Sequence, residues 1–126
     1  MKRDITSSFD IEQLVNSFYD KLRSETSFAP HFVHIRDWEA HLIVIRQFWE
    51  NVIFYTGSYE GNPMELHQKL HENCPLTKKL FARWLTLFNT EVDRLFIGSN
   101  ATTIKEKAKN IAIVMQVKIF EKAIQP

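Results

Sequence analysis

The chain has 126 residues; 44% are apolar, including 10 Phe and 3 Trp. That supports one globular domain over residues 1–126 and is too little for two ordinary domains. Its 16 basic and 15 acidic residues nearly cancel and are scattered, which argues against a nucleic-acid surface or a polybasic membrane anchor. The single cysteine, Cys74, excludes an intramolecular disulfide and fits a reducing compartment. The first ten residues, MKRDITSSFD, lack the apolar run of a signal peptide, and no stretch approaches the ~20 apolar residues of a bilayer span. The expectation is a cytoplasmic protein without nucleic-acid or membrane partners.

The periodicity is helical almost throughout. A first helix is predicted from about Asp10 to Glu25, with Ile11, Leu14, Val15, Phe18 and Leu22 on one face and Tyr19 at its border. Ser8 or Asp10 can cap it. An irregular corner, SFAPHFVHI, follows, with Phe28 and Phe32 as core residues. A long helix is predicted from about Asp37 to Tyr55. Its stripe is Trp38, His41, Leu42, Ile45, Phe48, Trp49 and Val52, so His41 falls among apolar residues.

The loop TGSYEGNP leads to a short helix from Met64 to about His71, with Pro63 in its first turn. Another helix should run from Lys78 to Phe96, burying Phe81, Trp84, Leu85, Phe88, Val92, Leu95 and Phe96, with Gly98 as its stop. The last should run from about Thr103 to Ala123. The fold class is all-α.

His67 and His71 stand four apart on the short helix, and Cys74 follows three later. That spacing suits a zinc site in a helical domain. However, Gln68 stands where the zincin pattern needs Glu. The bland reading is two solvated histidines. Tyr19, His41 and Trp84 all lie on or beside inward faces, which suggests a pocket with polar donors in an aromatic core.

Six motifs in order carry a family resemblance: Phe18-Tyr19, Pro30-x-Phe32, Trp38-x-x-His41, Phe48-Trp49, Gly61-Asn-Pro-Met-x-x-His67 and Arg83-Trp-Leu-x-Leu-Phe88. Together they resemble the group III truncated haemoglobins of the globin superfamily, over about residues 10–120. The resemblance implies a truncated globin fold, a two-over-two helical sandwich around haem b. It implies His67 as the iron ligand, with His71 peripheral, at the haem edge or near a propionate. Tyr19, His41 and Trp84 would then stabilise the distal ligand, Ile45 would floor the pocket, and Phe32, Phe48, Trp49 and Phe88 would pack on or near the porphyrin. His31 and His34 receive no role from it beyond surface or propionate contact. The stretch HENC lengthens the segment after the short helix, and the paired glycines of other truncated-globin groups are absent.

The implied chemistry is binding of O2, NO or other small diatomic ligands. It extends to nitric oxide dioxygenation or peroxidase-like redox detoxification. Turnover would need an external reductase, since the chain has no GxGxxG fingerprint for a nicotinamide or flavin. The alternatives are a non-catalytic haem-based O2 or NO sensor, weakened by the lack of a fused output domain, and the zinc-binding domain using His67, His71 and Cys74.

Overall fold

The structure, a computed structural model, describes residues 1–124, with side chains through residue 120. Five α-helices and one short 3₁₀ turn make up its architecture: α1 Ser8–Ser24, the 3₁₀ turn Ala29–His31, α2 Trp38–Phe54, α3 Pro63–Asn73, α4 Lys78–Leu95 and α5 Ser99–Ile124. Among the described residues no helix is long and apolar enough to cross a membrane.

Side-chain oxygens set most helix starts. The side chains of Asp37, Asn62 and Thr77 accept from the backbone N–H groups of Ala40, Glu65 and Leu80, satisfying donors the first turn leaves free. At α1 the cap is Ser7 rather than Ser8 or Asp10, and the buried Asp10 carboxylate takes N–H bonds from Thr6 and Ser7 at 2.9 and 3.2 Å. Arg3 closes the same carboxylate from outside, at 2.5 Å.

α5 begins four residues before the predicted Thr103. Its first turn is capped from the far end of the chain: the Asp4 carboxylate accepts from the N–H groups of Asn100 and Ala101, each at 2.9 Å. Gly98 is therefore not the stop of α4, which ends at Leu95 with Phe96 extended. Gly98 instead carries the chain into α5 at φ 145°, and a Cβ there would sit 2.3 Å from Asp4 Cγ. Both facts require glycine.

Four helices close a ring of contacts. α1 packs on α2 and α4, and α5 packs on α4 and α2. The core between them holds Ile11, Leu14, Val15, Phe18, Leu22, Trp49, Phe88, Val92 and Ile104. α3 lies outside this ring. It packs on α5, contributes no buried residue, and is not among the helices that pack on α2. The two helices that carry His41 and His67 thus do not pack extensively on each other, and the space between them forms a slot.

Besides Asp10, a second charged side chain is wholly enclosed. The Glu91 carboxylate, on α4, is fully buried and bonded by Lys21, Arg94 and Ser17, the last at 2.6 Å. Burial pushes its pKa up, but those three donors outweigh it and hold it at about 2. This ties α1 to α4 about one turn beyond Phe88.

Candidate functional site in the aromatic slot

Aromatic residues line one continuous surface from α1 to α4. Phe18, on the buried stripe of α1, meets Tyr19, Trp84 and Phe88 edge-on, at centroid distances of 5.2, 5.5 and 5.1 Å. Trp84 stacks on Phe88 at 5.2 Å, and Phe88 on Trp49 at 5.0 Å. Such edge and offset pairs suit rings carrying quadrupoles and fix each side chain against its neighbours. Trp49 and Phe88 lie one ring deeper than Phe48 and Trp84: the first two are buried, the second two half-buried.

Tyr19 lies over this layer. Its ring faces Phe32 at 6.3 Å and His41 at 6.3 Å. Burial pushes its pKa well above the ordinary tyrosine value, and the Trp84 indole N–H against its oxygen only partly offsets that. The phenol is therefore a neutral O–H donor across the physiological range. Trp84, a donor only, leaves that proton free to point elsewhere.

His41 stands one turn into α2, below Ile45 and Phe48 on the same face, since positions i, i+4 and i+7 align. Trp38 lies against it at 5.5 Å, Phe32 packs edge-on to Trp38, and the Arg23 guanidinium sits 4.3 Å over the Trp38 ring. Burial pushes the His41 pKa down, and a charge on His67 would push it the same way.

His67 and His71 differ in protonation, and the hydrogen bonds decide it. His67 Nδ1 lies 2.7 Å from the Pro63 carbonyl. A carbonyl can only accept, so Nδ1 carries the proton and Nε2 keeps its lone pair. Burial pushes the His67 pKa down, more than the Pro63 contact raises it, which keeps the ring neutral near pH 7. His71 is the reverse. The backbone N–H of Leu76 donates to its Nδ1 at 2.8 Å, which places the proton on Nε2, and its ring rests on Phe120. His71 thus ties the end of α3 to the turn that opens α4.

The structure does not gather His67, His71 and Cys74 into a ligand set; among the described residues no three His, Cys, Asp or Glu side chains are arranged to hold a metal ion. His31 donates from Nε2 to the Pro75 carbonyl at 3.2 Å, pinning the 3₁₀ turn to the loop after α3, and its buried Nδ1 has no partner among the described residues. His34 is exposed.

In the sequence Trp38 reads as part of the α2 stripe and of the Trp38-x-x-His41 motif without a site role, and Tyr59 is not singled out at all. Tyr59, which stacks on Phe48 at 5.3 Å, comes from a loop without periodicity.

No family model matches the chain. A search of curated proteins finds the group 3 truncated haemoglobin of Campylobacter jejuni, 25% identical and covering 96% of this chain and 97% of the relative. Among solved structures, the crystal structure of a group III truncated haemoglobin from the same organism matches with a TM-score of 0.84 and 26% identity. It covers 94% of this chain and 95% of that one. The five helices thus form an all-α truncated globin fold. In sequence and in fold, over nearly its whole length, the chain is similar to group III truncated haemoglobins.

Proposed function

We propose that residues 1–126 are one truncated-globin domain that binds haem b in the slot between α2 and α3 and handles O2 and NO there. The observation that carries this reading is His67. Its proton is fixed on Nδ1 by Pro63, its ring is neutral, and it sits on a helix that packs on α5 rather than on α2. A neutral imidazole with one nitrogen donating to a carbonyl is the form that serves as an axial ligand. The residues fit the group: His67 would hold the iron, and Phe32, Ile45 and Phe48 would meet the macrocycle. Trp49 and Phe88 would support it from the deeper layer. His71 would stay at the periphery.

Bound haem would supply a redox-active iron for a diatomic ligand. The protein's part is to surround that ligand. The Tyr19 O–H would donate to its partly negative end, Trp84 would hold the phenol oriented, and His41 would stand at the slot's other wall. Three polar groups in an aromatic enclosure favour retention over rapid exchange, which suits nitric oxide dioxygenation better than bulk oxygen storage. Electrons would come from a separate reductase in the cytoplasm.

The test uses the reconstituted chain and Tyr19→Phe. Loss of one hydrogen bond of ~1.4 kcal/mol predicts about tenfold faster O2 release, with NO consumption falling in parallel under a reducing system. Unchanged release and unchanged NO consumption would remove Tyr19 from the site and, with it, this reading of the pocket.

A further inference from the structure

The loop between α2 and α3 does not simply cross the slot. Tyr55 ends α2 in the left-handed conformation, at φ 55°, and the chain reverses along the helix it has just left. Gly57 N–H donates to Asn51 Oδ1 at 2.8 Å, and Ser58 Oγ reaches the Gln47 carbonyl at 3.5 Å. This lays the Tyr59 ring on Phe48, at 5.3 Å and 28° between planes, while Phe48 stacks on Trp49 at 5.0 Å. Phe48 continues the stripe of His41 and Ile45, so Tyr59 extends that stripe beyond the helix.

The next turn is shaped around the same ring. A Cβ on Gly61 would lie 2.4 Å from the Tyr59 hydroxyl oxygen and 2.6 Å from the carbon bearing it. Only glycine lets the phenol lie there. Asn62 then caps α3, and Pro63, its first residue, offers the carbonyl that orients His67. One aromatic ring is therefore in contact with the slot-facing stripe of α2 at one side and the entry to α3 at the other.

We propose that Tyr59, seated over Gly61 and stacked on Phe48, walls the haem slot and sets the approach of α3, so that it is a haem-retaining and His67-positioning residue. The inference rests on the haem reading above. The ring does the work, through packing area and shape, and the hydroxyl is secondary. Gly61 matters because any side chain there displaces the ring.

The test compares the haem-reconstituted chain with Tyr59→Ala, Gly61→Ala and Tyr59→Phe. Haem loss is followed by transfer to excess apomyoglobin, and the iron–histidine stretching band of the ferrous form by resonance Raman. Tyr59→Ala and Gly61→Ala should lose haem about tenfold faster, the scale seen when partners that orient a metal's ligands are removed, and both should shift the band. Tyr59→Phe should restore both readouts to the parent values. Parent-like haem loss with an unshifted band in both Tyr59→Ala and Gly61→Ala would overturn the proposal, as would a Tyr59→Phe variant as defective as Tyr59→Ala. A parent chain that takes up no haem would instead sink the haem reading, and this inference with it.

Discussion

His71 accepts the backbone N–H of Leu76 on Nδ1 at 2.8 Å, across the turn that joins α3 to α4. That bond occupies the one lone pair of the neutral His71 ring and leaves the proton on Nε2, and it gives His71 a structural task. His71→Ala should therefore leave haem binding intact but destabilise the fold by about 1 kcal/mol, the usual worth of one such bond. Urea unfolding of the apoprotein checks this. A midpoint equal to the parent's would show that the contact contributes nothing.

Trp84 and Tyr19 should act as a unit. Trp84 acts on the Tyr19 phenol, lowering its pKa, and both rings pack edge-on to Phe18, so removing either partner disturbs the same donor. Trp84→Phe should speed O2 release less than Tyr19→Phe does. The double variant should fall short of the product of the two effects, with a coupling of about 0.5–1 kcal/mol, within the range of contacting pairs. Strictly multiplicative rates in the four-protein cycle would contradict the shared role.

Glu91 makes acid stability testable. Its folded pKa is held at about 2, below the ~4.3 of an unfolded glutamate. Between those values the unfolded chain binds a proton that the folded one does not, so its contribution is complete above about pH 4.3 and fades as pH falls toward 2. Glu91→Gln should lower stability at pH 6 by about 2 kcal/mol. The figure sits below the ~3–5 of a sealed ion pair because Lys21 and Arg94 still reach water. The variant should also lose less stability than the parent between pH 6 and pH 3. Parallel pH profiles of the two proteins would refute the assignment.

The N-terminal segment should prove part of the fold. Asp4→Ala removes the acceptor for two N–H groups of α5 and should cost about 1–2 kcal/mol. Gly98→Ala combines a φ of 145° with a collision against Asp4 and should cost at least as much, about 1–3 kcal/mol. Thermal unfolding of both variants measures this, and transitions at the parent temperature would show α5 to be capped otherwise.

These elements mark where sequence reasoning reached and where it stopped. The stripe Trp38, His41, Ile45, Phe48 was legible because α2 buries one face and period 3.6 records it. The start of α3 was legible to within one residue because Pro63 is a local signal. The start of α5 was not, since its cap, Asp4, lies at the other end of the chain and no nearby residue announces it. The burial of Ile5 beside that cap escaped for the same reason. Tyr59 escaped because a reversing loop brings it to Phe48, a pairing decided by Tyr55, Asn51 and Gly61 together. The choice between His67 and His71 came only from family register, whereas the structure adds a physical difference, their opposite tautomers.

That difference leads to the most direct test of the central claim. The visible spectrum should be recorded for the haem-reconstituted chain, His67→Ala and His71→Ala at equal protein concentration. The account predicts a strong Soret band in the parent and in His71→Ala, lost or greatly altered in His67→Ala. A parent-like band in His67→Ala, or no band in the parent, would contradict it.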